Sequence, residues 1–245
     1  MDEPLGAGPT RHASDRGRYG QLSRERVLAS ALELVDREGL GALSMRRLGG
    51  ELGVEAMALY RYASSKDALL DGLVEALHLE LEERLAAEPG GPAADAAPAW
   101  RSGLHRVART MYDVCLTHPQ AVPLLATRML AVPLARRPAA VLRHHERVLA
   151  LLAEAGFDEA DASAAFRAFT AWLLGYVSVE LQPMVDNPEE SDPAFRLGLH
   201  RIPPQALPRL RRTAPALAER GGAEGLTAGL DALLDRFTAH DRTAR

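Results

Sequence analysis

The chain has 245 residues, 47% hydrophobic and 25% charged, which gives enough apolar side chains for one large domain or two small ones. No apolar run approaches the about 18 residues that a membrane span needs, and the first twenty residues hold no apolar h-region, so neither a membrane span nor a secretory signal is expected. The formal charge of −4 argues against a generally cationic protein, so nucleic-acid binding would have to come from a local surface; the single cysteine, Cys115, excludes an intramolecular disulfide framework and fits a reducing cytoplasm.

Residues 1–21 are Gly-rich and polar and read as a flexible arm. Its Arg11, Arg16 and Arg18 sit among Asp2, Glu3 and Asp15, so it either stays disordered or reaches a DNA minor groove. Helical periodicity starts at Ser23, a candidate N-cap. Val27, Leu28, Ala31, Leu32, Leu34 and Val35 follow as an apolar stripe, and Gly39 stops it. Ser44 reads as the cap of a second helix carrying Met45, Leu48 and Leu52 and ending at Gly53. Next comes Val54–Tyr62, VEAMALYRY, with more apolar and aromatic surface than one buried face needs. Ser64-x-x-Asp67 is an acidic capping box that opens a long helix with Leu70, Val74, Leu77, Leu81 and Leu85 on one face.

Pro89-Gly90-Gly91-Pro92 is the clearest linker, and the long helix before it is shared between the two sides. A helix from about Pro98 carries Trp100, Leu104, Val107, Met111 and Val114, and His118-Pro119 ends it. Pro119 and Pro138 each suit a helix start. Asp158 caps the longest apolar helix, the segment 184–204 is irregular and Pro-rich, and two last helices fall at about 205–219 and 223–240. No strand-like alternation of useful length appears, so an all-α fold is expected.

Two short helices joined by a Gly-containing turn after a longer one have helix-turn-helix geometry. The stretch from Leu22 to Leu73 resembles the DNA-binding domain of the TetR (tetracycline repressor) family. Its signature stands here as LS-x-R-x-L-x-x-E-L-G-V, then A-L-Y-R-Y, then S-K-D-A-L-L. The resemblance implies a DNA-binding domain over 22–75 and a helical effector-binding and dimerisation domain over 76–245. It makes VEAMALYRY the recognition helix. It also implies base contacts from Arg46, Glu55, Ala56 and Met57, and phosphate contacts from Tyr60, Tyr62 and Lys66. Arg61 shares the exposed face, and Ser44 could offer backbone N–H groups to a phosphate. An arginine can grip guanine bidentately, whereas Ala and Met offer only apolar contact. Residues 44–66 carry a surplus of two positive charges.

In the same family the C-terminal half dimerises and binds a small molecule. Independently of that, Ala164, Ala168, Ala171, Gly175 and Ser178 make a stripe of small residues that allows close helix approach. With Leu226, Leu230, Leu233 and Phe237 of the last helix they form the expected homodimer interface. Candidate pocket residues are Trp100, Met111, Tyr112, Met129, Phe166, Thr170, Trp172 and Tyr176, with His105, Arg109, Arg128 and Arg167 as polar groups able to orient a ligand. The segment before Thr127-Arg128 is VPLLA, without the histidine with which the founding repressor chelates a drug-bound metal, so metal–tetracycline binding is not expected.

No HExxH, GxSxG, Walker A or GxGxxG motif occurs, so an enzyme is not expected, and no cofactor is implied. Cys115 and His118 have C-x-x-H spacing, but two ligands are too few for a typical zinc site. His144-His145-Glu146 are consecutive and point in different directions. The sequence therefore reads as a ligand-responsive transcriptional regulator, a repressor released from a palindromic operator by an effector. The alternative is a dimeric small-molecule-binding protein that no longer binds DNA specifically.

Overall fold

The computed structural model describes residues 22–87, 98–186 and 207–244, with a few positions between 189 and 203. Helices are α1 (Arg24–Glu38), α2 (Met45–Leu52), α3 (Ala56–Leu59), α4 (Lys66–Ala87), α5 (Ala99–Thr117), α6 (Val122–Ala131), α7 (Ala139–Glu154), α8 (Glu159–Asp186), α9 (Pro208–Ala218) and α10 (Gly222–Ala244), with no strand among the described residues. The chain divides into two compact units, Met1–Leu73 and Val74–Arg245, so α4 begins in one and ends in the other. The expected arm and the Pro-Gly-Gly-Pro linker lie outside the described residues.

In the first unit, α1 turns its stripe inward. Val27, Leu28, Ala31, Leu34 and Val35 are buried with Leu43, Leu48 and Leu59. The caps are those that local chemistry dictates. Ser23 Oγ accepts from the Arg26 N–H at 3.2 Å, and Ser44 Oγ from the Arg47 N–H at 3.1 Å. The third cap differs from expectation by one residue. α4 starts at Lys66, so Ser65 rather than Ser64 is the cap, its Oγ accepting from the Ala68 N–H at 3.0 Å.

The turn between α2 and α3 rests on two glycines. Gly53 sits at φ 66° in the left-handed region, and the Val54 N–H reaches back to the Gly49 carbonyl at 2.9 Å, closing a Schellman turn. Gly49 lies where the incoming chain passes, and a Cβ there would stand 2.8 Å from the Val54 carbonyl oxygen. Its neighbour Gly50 faces open space, and nothing in the structure explains it.

The second unit packs α5, α7, α8 and α10 on one another, with α6 against α8. Its core draws on every one of these: Leu104, Val107 and Val114, Leu124 and Leu125, Val141, Val148 and Leu152, Phe169 and Leu173, and Leu226, Leu230 and Leu234. Asp158 caps α8 as expected, accepting from the Asp161 N–H at 2.9 Å. No helix among the described residues is long and apolar enough to cross a membrane.

Candidate nucleic-acid interface and effector pocket

α3 is four residues long, and a turn through Tyr62 follows it, so VEAMALYRY is helical over less of its length than expected. Leu59 alone plugs fully into the core. Met57 is 76% exposed and Tyr60 44% exposed, and Glu55 and Arg61 are exposed beside them, while Ala56 is half-buried. Glu55 makes no capping bond with its side chain, which leaves its carboxylate outward. Ser44 is exposed at the start of α2, its hydroxyl committed to its own cap.

The arginines of this unit divide into two sets. Arg47 bonds Glu38 at 2.6 Å and Glu51 at 3.0 Å, and Arg37 bonds Glu51 at 2.7 Å. The Arg47 hydrogen bond is the main reason why the Glu38 carboxyl lies below its ordinary range. Arg46, Arg61 and Lys66 are exposed and outside that network. Two carboxylates thus hold the structural arginines and leave the outward cations able to meet a polyanion.

Tyr62 departs from the expected phosphate contact. It is half-buried and its hydroxyl donates to the Leu22 carbonyl at 2.7 Å, bracing the end of the turn against the start of α1.

The expected pocket residues fall into separate groups. Met111 and Thr170 line a small cavity with His78, Leu125, His144, His145, Phe169, Leu173 and Leu174. Phe166 stands edge-on to His145 at 5.1 Å and lines a different, open groove with Phe157 and Leu149. Trp100 meets Phe157 at 6.3 Å. Tyr112, Trp172 and Tyr176 form a cluster of their own. Tyr176 packs on both others, at 6.1 and 5.6 Å, and its hydroxyl donates to the Gly222 carbonyl at 2.6 Å. A Cβ on Gly225 would stand 2.7 Å from that hydroxyl, and one on Gly229 2.9 Å from the Trp172 ring. These rings fill the gap that the glycines of α10 leave. The Met129 side chain lies outside those described.

The polar groups expected to orient a ligand are engaged in the fold. His105 Nε2 is 2.9 Å from the Asp231 carboxylate, Arg109 donates to Thr227 at 3.3 Å, and Arg167 to Ser163 at 2.6 Å. Arg128, on α6, is half-buried. Cys115 is buried, its thiol pushed up to about 12 by that burial, and His118 Nε2 lies 2.9 Å from Glu80. No group of three His, Cys, Asp or Glu among the described residues could hold a metal ion.

The expectation for His144 and His145 is overturned. Both are buried, and His144 lies 5.4 Å from His78 across α4 and α7. Consecutive helical residues diverge by about 100°, but two helices close around this pair, so both rings enter the cavity wall.

Of the nine residues expected at a dimer interface, Leu226 and Leu230 are core of the protomer, 1% and 0% exposed. Phe237 packs edge-on to Phe157 at 6.4 Å, and Leu233 is half-buried. On α8, Ala171 and Gly175 are exposed, Ala164, Ala168 and Ser178 are half-buried, and Val179 beside them is 75% exposed.

A solvent-facing helix held by a glycine turn and flanked by exposed cations is the form of a helix-turn-helix DNA reader. Residues 27–73 match the family described as bacterial regulatory proteins, tetR family, and residues 92–236 match its tetracyclin repressor-like C-terminal domain. The chain belongs to the TetR family of transcriptional regulators. It is 38% identical to an HTH-type transcriptional regulator of Saccharopolyspora erythraea over 65% of this chain and 61% of that one. The chain thus spans less than two thirds of the first curated relatives it matches. Among solved structures it is similar to a possible TetR family regulator of Streptomyces coelicolor A3(2), with a TM-score of 0.72, 26% identity and coverage of 89% and 99% of the two chains. It is also similar to BioQ solved with its double-stranded DNA operator, with a TM-score of 0.52, 26% identity and coverage of 74% and 95%.

Proposed function

We propose that this chain is a sequence-specific, ligand-responsive DNA-binding repressor that acts as a homodimer on an approximately palindromic operator. The observation that carries the reading is the outward face of the reading head. Glu55, Met57, Tyr60 and Arg61 project from one exposed turn, with Arg46 and Lys66 on the adjoining helices. Arg46 and Glu55 carry the base-reading chemistry, Met57 and Ala56 offer apolar contact to thymine methyls, and Tyr60 and Lys66 hold phosphates. Two heads related by a twofold axis would meet half-sites about one helical turn apart or a multiple of it.

The small-residue stripe of α8 supports the dimer, because its exposed Ala171 and Gly175 allow close helix approach. α4 supports a route for the response, because one continuous helix begins in the reading unit and ends in the effector unit. A ligand that binds better to the geometry unable to engage DNA shifts the population away from the operator-bound form.

Selection of the purified protein on random double-stranded DNA at two salt concentrations tests this. An enriched palindrome, bound by a dimer with a steep salt dependence, is the expected result. Arg46→Ala should relax discrimination at particular bases by about 1–3 kcal/mol, and Lys66→Ala should weaken all sequences alike. A folded dimer that enriches no sequence would overturn the proposal.

A further inference from the structure

The cavity of the second unit joins residues from five helices: His78 of α4, Met111 of α5, Leu125 of α6, His144 and His145 of α7, and Phe169, Thr170, Leu173 and Leu174 of α8. His78 Nδ1 lies 2.8 Å from the Val74 carbonyl. A carbonyl only accepts, so that nitrogen carries the proton and His78 Nε2 keeps a lone pair. His144 and His145 are 8% and 6% exposed, yet Nδ1 of each has no hydrogen-bond partner among the described residues. Burying imidazole nitrogens without partners is costly, and apolar side chains of similar size would fill the same space without that cost. No Arg, Lys, Asp or Glu lines the cavity, and its remaining wall is apolar apart from Thr170.

We propose that His78, His144 and His145 form the hydrogen-bonding end of an internal effector pocket that takes neutral hydroxylated aromatic molecules and rejects anions. The inference rests on the ligand-responsive reading above and gives it a ligand class. Neutral imidazoles offer acceptors to a ligand O–H, and Phe169, Leu173, Leu174 and Met111 accept a flat apolar body. Burial pushes His144 down to about 3 and His145 to about 4, so neither supplies the positive charge that an anion would need. The cavity volume is about 20 Å³, room for one water, so a ligand must part its walls. One of those walls is α4, through His78. Opening the pocket therefore bears on the helix that continues into the reading unit.

Phenol, anisole and benzoate are the probes, titrated calorimetrically into the full chain at neutral pH. Phenol should bind saturably and at least about tenfold more tightly than anisole, which has no donor, and benzoate should not bind. His144→Leu and His145→Leu should raise Tm and erase the phenol preference, whereas a purely structural role would move Tm and leave the phenol-to-anisole ratio unchanged. In ¹⁵N-histidine spectra of the wild-type protein, phenol should shift the Nδ1 resonances of both residues, which keeps the test valid if a variant fails to fold. No preference for phenol over anisole, tighter binding of benzoate, or an unchanged ratio in both variants would overturn the assignment. Selection on random DNA with the same preparations separates the two readings. A palindrome without phenol preference overturns the pocket alone, and phenol preference without a palindrome overturns the regulator reading alone.

Discussion

In the unit that ends at Leu73, the charged side chains Arg37, Glu38, Arg47 and Glu51 pair with one another at the surface, where such pairs are weak and salt-screened. Beyond Val74, three imidazoles are buried, and two of them have a nitrogen without a partner among the described residues. The first unit spends little stability on its polar groups and offers a preformed outward face. The second carries a buried polarity that stability alone would not select. An outward face of fixed shape suits a constant partner such as duplex DNA, and a closed, imperfectly satisfied interior suits a ligand that comes and goes.

The comparison can be broken most sharply at Gly49. Gly49→Val puts a side chain against the Val54 carbonyl, whose oxygen would be 2.8 Å from the new Cβ. The cost should be about 1–3 kcal/mol, and operator binding should fall with it in a mobility-shift titration. Phenol binding by the second unit should survive. If both activities fall together, the two units are not separate in this respect.

Acid is the next lever. His144 and His145 titrate well below their ordinary value because of burial, so an unfolded chain binds protons that the folded one does not. Their contribution is complete above about pH 6.5 and is lost as pH falls toward 3–4. At pH 5 the loss from His144 should be on the order of 2 kcal/mol. Urea melts between pH 5 and 7.5 should show it, and His144→Leu should flatten the profile. An equally steep profile in that variant would place the acid sensitivity elsewhere.

Tyr62→Phe removes only the bond to the Leu22 carbonyl. It should cost about 1 kcal/mol of stability and leave the salt slope of DNA binding unchanged. A shallower slope would restore Tyr62 to the phosphate contacts. The smallest effect is a gain. Gly50 faces open space in a helix, so Gly50→Ala should stabilise the first unit by up to about 1 kcal/mol in a thermal melt, with DNA binding unchanged.

These regions also differ in how far the sequence discloses them. The reading head lies within some forty consecutive residues, so caps at Ser23 and Ser44, the stop at Gly53 and the crowded VEAMALYRY are visible as local spacing. Its errors are local too. The cap moved from Ser64 to Ser65 because α4 starts one residue later. Tyr62 turned inward because a carbonyl forty residues back lay within reach. The cavity is built from positions 78 to 174 on five helices, and no spacing rule joins His78 to His144. Of the aromatic residues expected as pocket walls, Tyr176 packs against Gly222 and Gly225, and Trp172 against Gly229. That pairing depends on which helix α8 meets, and periodicity does not encode it. The unsatisfied neighbours His144 and His145 carried a usable signal, two titratable residues inside an apolar helix, which their divergence along one helix concealed.

Lys66 is the only lysine of the chain, and it stands exposed beside the turn that follows the reading helix. Cys115, the only thiol, is buried and held protonated. Mild acylation of the folded protein would therefore mark a single side chain on the reading head, while thiol reagents would leave the chain untouched. Whether bound DNA shields that one amine can be read as a mass shift of one peptide. Operator occupancy, and the release by a ligand proposed above, thus become measurable by chemical footprinting without labelling the protein in advance.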